Sequence, residues 1–439
     1  MKNETQGTAM LRIAQFSDLH YSDKHLAEAD RCFTHGVERA IAMNADVAVI
    51  SGDAIDHALC LHAPAVEGLA RNIRRLADHC PVLMLQGTYS HEPPGTLSIF
   101  RLLGGRHGVH VADRIGQVAL TLDGRWRASD GWRFDQAPQV PHDMCALFSC
   151  VPTVNKASVA AAVGAPAAAV AVGEQLALLL RGFAASNHAA RQAGVPTIGV
   201  SHGTVFGCLS EHGVPMAGFD HEFTTATLFA AQAQAFMLGH IHRHQQWEAS
   251  GRRIAYAGSI GRFYYGEEGD KGFLLWEIGA AIARCALEPT PARRTIDLCF
   301  DGKPDLAVIR AAAHDVAGAC VRVRWSVPDE DRHEVDRSAI LRTLDTAAEI
   351  KLEGRIVPVV RTRACGMSQA ATIADKVRAW ASANEVKADL LLACLACLQM
   401  QTPEAIAADI LAPNSASQHG RAGQDDGPCF DERMKEYQT

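Results

Sequence analysis

The chain has 439 residues, too many for one ordinary hydrophobic core, so two or more domains are expected. Hydrophobic residues make up 48% and charged residues 21%, with a formal net charge of −7, the balance of a soluble globular protein rather than a strongly basic nucleic-acid binder. Phosphate contacts would have to come from local clusters: Arg71, Arg74 and Arg75, then Arg125 and Arg127, then Arg252 and Arg253, each of which also reads as a solvated surface.

In chain order, LRIAQFS (11–17) reads as a strand, 26–44 as a helix, DVAVISG (46–52) as a strand, 63–79 as a helix and PVLMLQG (81–87) as a strand. A long helix is expected near 173–194, then a strand PTIGVS (196–201), a helix near 224–234, a strand AFML (235–238), and strands in RRIAYAGS and KGFLLWEI. Strand–helix alternation with nearly continuous apolar strands predicts buried sheets covered by helices. The pattern restarts near residue 280, and PTPARR (289–294) reads as a connection. A smaller α/β unit follows to about 367, with helices near 304–317 and 333–347, a half-exposed strand ACVRVRWS (319–326), and RIVPVVR (355–361). Residues 368–412 read as helical, with Thr402 and Pro403 as the start of a helix. Within them VKADLLLACLACLQM (386–400) is apolar nearly all round, so it should be buried, in its own domain or in a partner's groove. Residues 413–439, rich in Gly, Ser, Gln and Asp, read as a disordered tail.

The 13 cysteines are odd in number and scattered, and MKNETQGTAM lacks an apolar signal segment, so a cytoplasmic location with reduced thiols is expected. The C-x-x-C pair Cys394/Cys397 reads as two small buried hydrophobes. The Ala-rich stretch 157–173 is too weakly apolar for a membrane span, and no membrane association is expected.

The chemistry lies where strands end. Asp18 and His20 follow the first strand, Asp53 the second, Ser90 and His91 the third, His202 the fourth, and His240 and His242 the fifth. In open α/β sheets the carboxyl ends of the strands form the ligand-binding rim. The motifs D-x-H and H-x-H recur elsewhere by chance among 20 histidines; Asp23/His25 and Asp331/His333 follow no apolar strand. What carries the reading is the ordered set D-x-H, G-D, G-x-x-S-H-E, H-G and G-H-x-H. Two carboxylates and several imidazoles in one cleft suit a pair of divalent cations, which neutralise an anionic phosphodiester and generate a nucleophile from water at neutral pH. Mixed nitrogen and oxygen donors favour Mn²⁺, with Fe²⁺, Zn²⁺ or Mg²⁺ as alternatives. Gly52, Gly87, Gly203 and Gly239 would let the backbone turn sharply near such ions.

This series resembles the calcineurin-like metallophosphoesterase superfamily. The resemblance implies a four-layer α/β sandwich, two sheets flanked by helices, over residues 10–279. It also implies that Asp18, His20, Asp53 and His242 hold a first metal, that Asp53 bridges, and that His202 and His240 hold a second. His91 matches a histidine that contacts the phosphate and assists the leaving group as a general acid. GDAIDH (52–57) and AGSIGRFYYGEEGDKGF (257–273) are similar to SbcD-type DNA nucleases. In that group an α/β unit, here 280–367, caps the site, and a helical region, here 368–412, binds an SbcC-like coiled-coil ATPase; a homodimer is left open. The family pattern G-N-H-D departs here to Gly87-Thr88-Tyr89-Ser90-His91-Glu92, a form similar to some phage-type relatives. Ser90 then stands where an Asn carbonyl would meet the second metal, with Thr88 or water as substitutes, and Glu92 stands for Asp. The expected activity is metal-dependent hydrolysis of DNA. The alternatives are a stand-alone phosphodiesterase or phosphatase on small substrates, and a catalytically weak DNA-binding scaffold.

Overall fold

A computed structural model describes residues 10–57, 59–60, 62–134, 143–153, 165–216, 221–279, 282–358, 367 and 369–411. The expected tail 413–439 and much of the Ala-rich stretch 157–173 lie outside the described residues. The chain divides into one unit up to Val357 and a second from Pro358.

The first unit begins with β1 (Leu11–Phe16), α1 (Leu26–Ala42), β2 (Val47–Ile50), α2 (Pro64–His79), β3 (Val82–Leu85) and β4 (Val109–Ala112). Next come β5 (Gly116–Thr121), β6 (Trp126–Ala128), β7 (Met144–Val151), α3 (Ala165–Gly182), α4 (Ala184–Gln192), β8 (Thr197–His202) and β9 (Thr204–Val205). β10 (His221–Phe223), α5 (Thr225–Ala230), β11 (Ala235–Gly239), β12 (Gln245–Ala249), β13 (Arg252–Tyr256), β14 (Gly272–Ile278) and β15 (Ala283–Pro289) complete the larger part.

One sheet has the order β15-β14-β1-β2-β3-β4, with β1 to β4 parallel. A second has the order β12-β13-β11-β8-β7-β5-β6, with β13, β11, β8 and β7 parallel. The period of two in a strand explains their packing. Ile13, Val47, Val49, Leu83 and Leu85 face Phe148, Ile198, Val200, Ala235 and Met237 across the sheet–sheet interface. Their neighbours Ala14, Phe16, Ala48, Ile50, Val82 and Met84 face α1 and α2 on the other side. Leu176 and Leu180 of α3 and Leu228 of α5 cover the outer face of the second sheet. The result is the expected four-layer sandwich.

Below the rim the two sheets are joined by polar contacts as well as apolar ones. Buried Gln15 Nε2 donates to Leu238 O at 2.9 Å, and Trp276 Nε1 donates to Gln15 Oε1 at 2.8 Å. Buried polar groups are tolerated when their partners are in place, and these fix the register of one sheet over the other.

The expected boundary at 279/280 moves. β15 pairs with β14 from Gly272↔Pro289 to Ile278↔Ala283, so the first sheet continues to Pro289. A three-stranded parallel sheet then follows, β16 (Thr295–Asp301), β17 (Cys320–Pro328) and β18 (Glu349–Val357), with α6 (Leu306–Ala312) and α7 (Arg337–Thr343) packed on it. The strand expected at 355–361 ends at Val357, and 359–366 lie outside the described residues. The single helix expected near 173–194 is two helices, α3 and α4, broken at Gly182–Phe183, where the Trp132 ring packs against Gly182.

The second unit contains α8 (Ile373–Ala383), α9 (Ala388–Met400) and α10 (Pro403–Leu411). Thr402 Oγ1 accepts from Ala405 N, the N-cap expected from its position before Pro403. α9 has no buried residue in this unit: Leu390 is 73% exposed, Leu398 65% and Met400 87%. Cys394 and Cys397 are exposed too, contrary to the expectation of buried thiols. Among the described residues no helix is long and apolar enough to cross a membrane.

Candidate metal centre

The loops after β1 and β2 run side by side. Asp18 N donates to Gly52 O, His20 N to Asp53 O and Tyr21 N to Ala54 O, each at 3.1 Å. This pairing demands unusual backbone. Asp18, His20, Asp53 and His240 have φ of +49°, +48°, +51° and +101°, a region that side chains with a Cβ seldom enter. Each costs on the order of 1–3 kcal/mol and persists only where surrounding structure enforces it, which is typical of functional sites. Gly52 has φ +102°, and a Cβ there would run into the His202 ring.

Seven of the eight residues singled out at strand ends converge. Ligating atoms of Asp18, His20 and His242 lie within 4.8 Å of one another, as do those of Asp53, His202 and His240. Asp53 also groups with His20 and His91, so its carboxylate stands between the two donor sets. Asp18, His20, Asp53 and His202 are buried, and His91, His240 and His242 are partly so.

Several of these side chains are oriented from behind. Asp18 accepts from Ser17 Oγ at 2.5 Å and from His240 N at 3.1 Å. His202 Nδ1 lies 2.8 Å from Ser51 O, which directs Nε2 to Asp53 Oδ2 at 3.2 Å. His242 Nδ1 faces Glu267 Oε1 at 3.8 Å, and Glu267 is paired with Lys271 at 2.6 Å. His91 Nδ1 lies 2.8 Å from Asp56 Oδ1, with its ring 5.0 Å from that of His20.

Ser90 is the eighth residue, and it lies apart. It is exposed, and no hydrogen bond among the described residues ties it to the cluster. Thr88 faces the second donor set instead: its N donates to Asp53 Oδ1 at 2.6 Å, and its Oγ1 lies 3.2 Å from both Asp53 Oδ2 and His202 Nε2. The turn explains the exchange. His91 N and Glu92 N both donate to Thr88 O, which closes the backbone beneath Thr88 and leaves Ser90 at the outer corner. Glu92 is wholly buried and binds Ala54 N and Gly87 N at 2.5 Å each, stapling the loop after β3 to the loop after β2. Sequence reading placed Glu92 at the family's Asp position but missed the roles of Ser17, Asp56 and Glu267, because a residue behind a ligand carries no motif of its own. A carboxylate within a glycine-rich loop was the one signal available for Glu267.

The electrostatics fit a cation site. Burial lowers the His20 imidazole well below its usual value, and burial with the nearby His202 lowers His240 to about 4. Both are therefore neutral, with a lone pair to give, as metal ligation requires. Burial opposes charge on Asp53 and His202, yet their mutual attraction wins, lowering the carboxyl and raising the imidazole. His20 Nε2 and His242 Nε2 face each other at 2.9 Å, and among the described residues the buried Nδ1 atoms of both lack hydrogen-bond partners. Two carboxylates and four imidazoles turned toward common points match the donor chemistry of a divalent pair.

A cleft of about 950 Å³ opens between this rim and the three-stranded sheet. Lys24, Arg293, Arg322, Arg324 and Lys351 line it, with Phe263, Tyr264 and Tyr265, against the carboxylates Glu211, Asp297 and Glu349. The local balance is thus cationic although the chain is acidic. Tyr264 links cleft and centre, its ring parallel to that of His242 within 15° at 6.2 Å.

No family model matches the chain, and no curated protein matches it. Among solved structures it is similar to GAP50, the anchor in the inner membrane complex of Plasmodium, at 13% identity and a TM-score of 0.40, over 64% of this chain and 85% of that one. It is also similar to a dimetal phosphatase from Danio rerio at 11% identity and a TM-score of 0.38, over 63% of this chain and 98% of that one. A third is a conserved uncharacterized protein of Streptococcus pneumoniae, a predicted phosphoesterase, at 9% identity and a TM-score of 0.22, over 64% of this chain and 99% of that one.

Proposed function

We propose that this protein is a calcineurin-like metallophosphoesterase that hydrolyses phosphodiester bonds in DNA, the SbcD-like nuclease subunit of a complex with an SbcC-like coiled-coil ATPase. The observation that carries the reading is the pair of donor sets meeting at Asp53 with His91 beside them. Asp18, His20 and His242 would hold one divalent ion, His202 and His240 the other, and Asp53 both. Manganese is the first candidate. When bound, such a pair supplies positive charge to the phosphate and a nucleophile from water at neutral pH.

The chain's own groups do the rest. Asp56 accepts from His91 Nδ1 and so turns Nε2 outward, where it can give a proton to the leaving oxygen. Thr88 supplies a hydroxyl at the second donor set in place of Ser90. The cationic, aromatic cleft favours a polymeric anion with stacking bases over a small monoester. The exposed apolar face of α9 favours a helical partner, seated in the groove of about 420 Å³ lined by Ile373, Val377, Trp380, Leu391, Leu395 and Leu398.

The deciding assay incubates the purified protein with Mn²⁺ and linear duplex DNA, beside a small phosphodiester. Degradation of DNA that stops with a chelator and returns with Mn²⁺ is expected. Turnover of the small ester alone would assign a stand-alone phosphodiesterase, and DNA binding without turnover a scaffold. Removal of residues 358–439 should abolish co-purification with the ATPase while metal content is unchanged.

A further inference from the structure

We infer that Glu267, held by Lys271, is a positioning residue that fixes the tautomer and the backbone of His242. The inference rests on the metallophosphoesterase reading above and assigns a role that the strand-end motifs do not contain.

Glu267 and Lys271 are a fully buried ion pair, with both side chains 0% exposed and 2.6 Å between Lys271 Nζ and Glu267 Oε2. A buried ion pair is seldom worth its desolvation in stability alone, so its other contacts matter. Those contacts converge on one residue. Lys271 Nζ donates to His242 O at 2.8 Å and to Ser259 Oγ at 3.0 Å. Glu267 Oε1 accepts from Tyr264 N at 2.9 Å and faces His242 Nδ1 at 3.8 Å. The ammonium thus grips the His242 main chain, and the carboxylate faces its ring. His242 Nδ1 is buried and makes no hydrogen bond among the described residues, and the carboxylate it faces at 3.8 Å is Glu267, so the proton belongs on Nδ1, opposite that negative charge. Nε2 then keeps its lone pair, and it is Nε2 that points at His20 Nε2 across 2.9 Å. A ligating imidazole needs this arrangement, with one nitrogen donating to an acceptor and the other free. The opposite tautomer would leave a buried carboxylate facing a lone pair and close the ligating position with a proton.

The test uses the full chain and three variants: Glu267→Gln, Lys271→Met and the double variant, which removes both charges at similar volume. Metal-free protein labelled with ¹⁵N-histidine reports the His242 tautomer by imidazole nitrogen shifts, and calorimetry with Mn²⁺ reports affinity. Wild type should show His242 protonated on Nδ1 alone. The double variant should show mixed tautomers and lose about 10–100-fold in affinity at one of its two sites, the usual cost of removing such a partner. Lys271→Met should weaken Mn²⁺ less, since the carboxylate remains. If the double variant folds, keeps Nδ1–H on His242 and binds both ions like wild type, the inference is wrong. Should the double variant not fold, Glu267→Gln alone decides by the same two readouts. Wild type that binds no Mn²⁺ would overturn the proposed function, and the tautomer measurement on metal-free protein would still decide this inference.

Discussion

Replacing Gly52 by Ala tests whether the turn between β2 and Asp53 is built as closely as the structure shows. Two costs add. At φ +102° an L-residue is strained, by roughly 1–2 kcal/mol or more. The new Cβ would also meet the His202 ring and lie 2.9 Å from Gly87 Cα, and overpacking of this kind costs about 1–3 kcal/mol. Gly95 separates the two costs, since it has φ +89° but nothing within 4 Å of the place a methyl group would take. Gly95→Ala should therefore lose only the backbone part. Urea unfolding should place Gly52→Ala roughly 2–5 kcal/mol below wild type and Gly95→Ala roughly 1–2 kcal/mol below. Because the ring that must yield is His202, elemental analysis should also show Gly52→Ala with its second ion depleted and Gly95→Ala with a full pair. Equal destabilisation of the two variants, with full metal content in both, would refute the argument.

Three further outcomes follow from the same geometry. Asp53→Ala should release both ions, because it removes the carboxylate that, among the described residues, groups with His20 and His91 as well as with His202 and His240; a full pair retained by elemental analysis would count against the bridge. His91→Asn should keep both ions while turnover of DNA falls about 10²–10⁴-fold, and loss of metal would make His91 a ligand instead. Thr88→Ala should raise the Mn²⁺ concentration needed for half-maximal activity, whereas Ser90→Ala should not; the reverse pattern in a Mn²⁺ titration would restore Ser90 to the site.

The candidate ligands were legible because a residue at the end of a buried parallel strand can point only at the rim, and Asp18, Asp53, His202 and His240 each sit there. The layers were legible for the same reason: alternation in β1, β2 and β3 assigns each side chain to a face. What lay beyond reach depended on contacts distant in sequence. Whether Thr88 or Ser90 faced the second donor set was decided by two hydrogen bonds to Thr88 O within a turn, and no periodicity records those. Glu267 stands 25 residues past His242, on a loop whose course is set by Lys271 and Tyr264. The edge strands β4 and β6 are only four and three residues long, and β15 pairs with β14 at the other edge of the first sheet, with half of its side chains toward solvent, so their apolar runs are weak.

The seam between the sheets has a consequence for how the molecule responds to change. Asp18, His20 and Asp53 ride on one sheet, and His202, His240 and His242 on the other. Gln15, Ser51 and Leu238 form the hinge line directly beneath them. The distance between the donor halves is therefore a gauge of how the two sheets sit on one another. A truncation deep in the interlayer, at Leu83, Phe148 or Met237, changes that spacing without touching a ligand. Its effect should appear in metal affinity as well as in stability. On the proposed function the coupling would run both ways, since ions that bind only the assembled rim would add RT ln(1 + [L]/Kd) to the stability of the sandwich. The centre would then work as a rivet, and metal supply would set how firmly the layers are closed.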